Sequence, residues 1–227
     1  MITKSPDRII KESFEPLVKG RKAKNTLGCI YKKEGEYFWT ISNKPYSMNK
    51  RRIEIGIKLW RYDELLCSIT HPDEKVVFQD KLRWNGFSAM SAYQIKSYHS
   101  EYPYNTVTKC IDPDELEIWS KGIFEDSIEA IDSFIHMVEI QYGDLNEYHI
   151  ANFEHDPLMA AFACISKERY QQAEVFLQIA TERSLTFHRS YGSVNRDLRD
   201  VLKDYCISHL TGMKWTRDMV VYGLGKE

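Results

Sequence analysis

The first apolar positions recur with a helical period. Ile9, Ile10, Phe14 and Leu17 fall on one face, Ser5 can cap the helix, and Pro6 suits its first position. Pro16 has no N–H for the helical ladder and predicts an early end. Gly20 and the basic run Arg21-Lys22-Ala23-Lys24 read as a loop. The period then drops to two. Thr26–Lys32 and Glu36–Ser42 are candidate strands joined by the turn Lys33-Glu34-Gly35. Across Arg52–Trp60, Ile53, Ile55, Ile57 and Leu59 alternate with Arg52, Glu54, Gly56 and Lys58, the pattern of an antiparallel strand with one buried face. Leu65–Thr70, Lys75–Arg83 and Tyr93–Ser100 are further strand candidates, so a meander of four to six strands is expected.

Beyond residue 110 the helical period returns. Asp112-Pro113-Asp114-Glu115 is a helix-start signal, and a short helix to Trp119 is expected. After Gly122, the residues Phe124, Ile128, Ile131, Ile135, Val138 and Tyr142 step by fours and threes along one face, a helix of about five turns ending before Gly143. Asp156-Pro157 opens a helix over Leu158–Ser166. Two more follow, over Glu168–Arg183 and Ser193–Leu210. Met219–Leu224 reads as an edge strand or a docked tail. Segregated strands and helices define an α+β fold: an N-terminal helix, an antiparallel meander sheet, and a C-terminal helical half packed on it. The expected division is a helix-plus-sheet region over 1–110 and a mainly helical region over 111–227, forming one compact unit.

Composition adds limits. With 227 residues, 43% hydrophobic and 28% charged, the chain can bury a sizeable core without metal or disulfide. Cys29, Cys67, Cys110, Cys164 and Cys206 are widely spaced and include no C-x-x-C pair, as expected of reduced thiols. The first residues lack a signal-peptide pattern and no apolar run is long enough to span a bilayer, so a cytoplasmic protein away from membranes is expected.

The net charge of −2 conceals an asymmetry. Residues 1–100 hold 19 Lys and Arg against 11 acids, whereas residues 101–227 hold 12 against 22. Within 101–156, Lys109 and Lys121 face 14 acids. Such a block either caps and coats helices or steers a basic partner. The basic half, with Lys22, Lys24, Lys32, Lys33, Arg51 and Arg52 among aromatic residues, admits nucleic-acid binding as an alternative. It carries no RNA-recognition signature, and its aromatics alternate as core residues do.

Motifs that would fix a chemistry are absent. There is no G-x-S-x-G, no phosphate-cradling glycine loop and no H-E-x-x-H. His149, Glu154, His155 and Asp156 form the densest polar cluster and would serve a metal-assisted hydrolase or transferase, with a spacing unlike that of known zinc motifs. No cofactor is expected.

From Ile9 to Leu17, through the basic loop, to Tyr31-Lys32-Lys33, Tyr37-Phe38-Trp39 and Arg52–Ile57, the chain resembles bacterial domains encoded beside secreted toxins and held to act as their immunity proteins. The resemblance covers about the first 65 residues and implies binding to a toxin rather than catalysis. Lys167–Leu177 resembles part of a single tetratricopeptide-type helix pair. The leading expectation is a non-catalytic module that binds a protein with a basic surface. Its contact face would comprise Asp112, Asp114, Glu115, Glu117, Glu125, Asp126, Glu129 and Asp132, with Tyr98, Tyr102 and Tyr104 from a Tyr-rich segment.

Overall fold

Helix α1 (Pro6–Gly20) begins at Pro6, with Ser5 at the N-cap position but making no side-chain cap bond, and buries Ile10, Phe14 and Val18. It runs through Pro16 to Gly20, because burial of Val18 and a basic last turn sustain the final turn. These elements come from a computed structural model that describes residues 5–26, 29–73, 92–105, 110–185 and 196–224.

Five antiparallel strands follow in the order β1-β2-β3-β4-β5: β1 (Lys24–Thr26), β2 (Cys29–Glu34), β3 (Tyr37–Ser47), β4 (Lys50–Leu59) and β5 (Tyr93–Glu101). Gly35, with φ +60°, supplies the left-handed backbone of the β2–β3 turn. The register sets Trp39 opposite Ile57, Ile41 opposite Ile55 and Ile53 opposite Tyr98, which gathers the apolar residues on one face. A small second sheet pairs β6 (Tyr104–Asn105) with β7 (Cys110–Ile111).

Leu65–Thr70, expected as a strand, belongs to helix α2 (Arg61–Thr70). Tyr62, Leu66 and Ile69 lie inward at helical spacing, and Leu65 is only half-buried. The Lys75–Arg83 candidate lies outside the described residues. The two helices expected on either side of Gly122 form one, α3 (Pro113–Tyr142). Gly122 costs that helix about 1 kcal/mol but does not break it, since the buried stripe Leu116, Ile123, Phe124, Ile128, Ile131 passes across it.

The remaining helices are α4 (Leu145–Ala151), α5 (Pro157–Ser166), α6 (Tyr170–Glu182), α7 (Leu198–Thr211) and α8 (Arg217–Tyr222). Asp144, Asp156 and Asp197 cap α4, α5 and α7 by accepting N–H bonds from Glu147, Met159 and Arg199 at 2.9, 3.0 and 2.8 Å. Gly212, at φ +72°, closes α7. Of the two alternatives for Met219–Leu224, an edge strand or a docked tail, the strand does not form: the segment is largely helical, Thr216 caps α8 and Val220 is buried.

The chain divides into two compact units, each made of two chain segments. One comprises Met1–Trp60 and Leu82–Met137, the other Arg61–Lys81 and Val138–Glu227. In the first, α1 and most of α3 cover one sheet face, with Phe14 edge-on to Trp119 and Ile30, Trp39, Ile41, Ile53, Ile55 and Ile57 beneath. In the second, residues 157–165 of α5 are all buried, as expected of a helix apolar on every side. The Trp215 indole and the Arg217 guanidinium donate to the Ile69 and Thr70 carbonyls and so cap the end of α2.

Candidate functional site

The site begins with the way α1 and α3 lie side by side in the first unit. They run in the same direction, and their adjoining outer faces leave two confluent hollows of about 330 and 600 Å³. The smaller lies between Ile9, Glu12, Ser13, Pro16 and Leu17 of α1 and Pro113, Leu116, Glu117, Ser120 and Lys121 of α3. The larger continues past Gly20 and Arg21 to Phe124, Glu125, Ile128, Glu129, Asp132 and Ser133. Pro16 and Leu17 line both hollows, which makes them one groove. Its lining is mainly apolar, and its α3 edge is acidic.

The acids divide by helical position. Glu117, Glu125, Glu129 and Asp132 share one side of α3 and line the groove. Glu125 reaches Lys121 at 3.9 Å, and among the described residues no ion pair engages Glu117, Glu129 or Asp132. Asp112 is the helix cap and accepts the N–H groups of Asp114 and Glu115 at 3.0 and 3.1 Å. Asp114 and Glu115 are exposed in the first turn, where they offset the positive end of the helix dipole. Asp126 lies away from the groove, near Tyr98.

The three tyrosines lie elsewhere. Tyr102 is buried, donates to the Met48 carbonyl at 2.7 Å and stands against Trp119. Tyr98 is half-buried on β5, and burial together with the Asp126 charge pushes its phenol above the ordinary range. Tyr104 packs half-buried against Tyr102. None of them lines the groove. In its α1 wall, Ile9 and Leu17 follow from the sequence as part of a helix face and Pro16 as an early helix end; spacing within one helix does not disclose its neighbour.

The 149–156 cluster is dispersed by the fold. His149 is buried in α4 beside Tyr62 and Tyr148, and burial holds its imidazole down at about 4. The Tyr62 hydroxyl donates to Asn146 at 2.8 Å in the same region. Asp156 is engaged as the cap of α5, and Glu154 and His155 are exposed. Among the described residues no group of three or more His, Cys, Asp or Glu side chains is arranged to hold a metal ion. Nearby, Lys167 and Arg169 grip Glu147 at 2.6 and 2.7 Å and hold its carboxyl below the usual range, tying α4 to the α5–α6 connection.

Much of the basic sheet is neutralised locally. Arg51, 6% exposed, donates to Asp7 at 2.6 Å and to Asn43 at 2.8 Å, anchoring the first turn of α1. Lys32 pairs with Glu34, and Lys44 and Arg52 share Glu54. Lys33 lies over the Trp60 ring. Among the described residues, no helix is long and apolar enough to cross a membrane. No protein-family model, curated protein or solved structure matches the chain.

Proposed function

We propose that this protein is a non-catalytic binding module that holds a partner protein with a basic surface, as an inhibitor or immunity protein would hold a toxin. The observation that carries the reading is the α1–α3 groove, an apolar trough bordered by Glu117, Glu125, Glu129 and Asp132. Apolar lining provides area to bury, and Glu117, Glu129 and Asp132, which no ion pair engages among the described residues, outnumber Arg21 and Lys121 in the lining and so steer a positively charged partner and set its register. The self-neutralised sheet face offers less to a polyanion.

The test starts with the partner captured from the source cells and identified by cross-linking. Its affinity is then measured by calorimetry against the wild type and against a triple variant, Glu117→Lys, Glu129→Lys, Asp132→Lys. Reversal is expected to weaken binding by at least about tenfold, and added salt to weaken the wild-type complex. The partner should arrest growth when produced alone and be harmless when co-produced. A folded triple variant that binds with unchanged affinity would overturn the proposal.

A further inference from the structure

We infer that the occupant of the groove is an amphipathic α-helix of the partner, apolar along one stripe and basic along the adjoining flank. The inference rests on the groove being the docking site. Both walls are helices, and a helix closes its own backbone hydrogen bonds along its length. The groove therefore has no strand edge to offer an extended peptide, which would bury N–H and C=O groups without partners. A helix satisfies its backbone internally and presents only side chains.

The dimensions agree. The lining runs from Ile9 to Arg21 along α1 and from Pro113 to Ser133 along α3, which at 1.5 Å per residue is about 18 and 30 Å of straight trough. A helix of about 12–20 residues fills such a length. Two helices running in the same direction present parallel ridges, so a third can lie between them as helices pack in bundles. Glu125, Glu129 and Asp132 recur at successive turns, and Glu117 lies two turns earlier on the same side. Lys or Arg residues at helical spacing on an occupant would meet them in series, which is the charge complementarity that selects a basic helix over a neutral one.

The probe is a synthetic peptide of about 16 residues with leucines at three- and four-residue spacing and lysines elsewhere. Its control is the diastereomer with about four D-residues, identical in composition and charge but unable to hold a continuous helix. Binding to the full chain is followed by heteronuclear NMR, and peptide helicity by circular dichroism. The all-L peptide is expected to gain helicity and bind at least about tenfold more tightly than the diastereomer. Its shifts should concentrate at Ser13, Gly20, Ser120 and Ser133 and vanish in the folded triple charge-reversal variant. Equal affinity for the two peptides would overturn the helical occupant and leave the groove as a site for basic segments. Binding of neither, or binding indifferent to the charge reversal, would overturn both readings.

Discussion

His149 should make the second unit lose stability in mild acid. The imidazole is 3% exposed, and burial holds it at about 4 in the folded protein against an ordinary 6.5. Above about pH 7.5 neither folded nor unfolded chain carries the proton, and the group contributes no pH dependence. As pH falls through 6.5 the unfolded chain takes up the proton while the folded one does not, so folding becomes less favourable. The loss is about 2 kcal/mol at pH 5 and levels off near about 3 kcal/mol below pH 4. Trp215 is the one tryptophan in the second unit, so 5-fluorotryptophan labelling gives a resonance that reports its unfolding alone. Urea titrations at pH 7.5 and 5.0 would compare the wild type with His149→Gln. The wild type should lose about 2 kcal/mol more than the variant between the two conditions. Equal slopes, or a folded-state imidazole that titrates near 6.5, would refute the reasoning.

Gly122→Ala should stabilise the chain by about 0.5–1 kcal/mol in urea denaturation, since the position is exposed, mid-helix, and has nothing within 4 Å of an added Cβ. Gly56→Ala should destabilise by about 1–3 kcal/mol in the same assay, because its Cβ would stand 2.9 Å from the Ala92 Cβ and 3.0 Å from the Thr40 hydroxyl. Timed alkylation at pH 8 with mass spectrometry should label exposed Cys110 before Cys29, Cys164 and Cys206, whose thiols burial pushes up to about 12.

The α+β fold was legible wherever a local pattern had one outcome. Alternation from Ile53 to Leu59 specifies a half-buried strand, and Asp-Pro at 112–113 and 156–157 specifies helix starts. Short apolar runs were ambiguous: Leu65–Thr70 suits a strand or a helix, and packing of Tyr62, Leu66 and Ile69 decided for the helix. Gly122 looked like a boundary, but a lone glycine lacks the capping partner that a helix end needs. Of the candidate site, the acids on α3 were visible in the sequence. The apolar wall from α1 was not, because about 100 residues separate Ile9 from Pro113 and only the folded sheet brings them alongside.

The interleaving of the two units has a consequence for synthesis. A ribosome releases β3 and β4, with only α1 to cover Ile41, Ile53, Ile55 and Ile57, well before α3 exists to complete that cover. At about 5–20 residues per second this interval lasts several seconds, during which an apolar sheet stands partly open in a crowded cell. The second unit cannot close around its early helix, α2, until the rest of its chain has emerged. Neither unit can therefore mature as the nascent chain grows, and newly made protein should depend on holding chaperones in proportion to that delay.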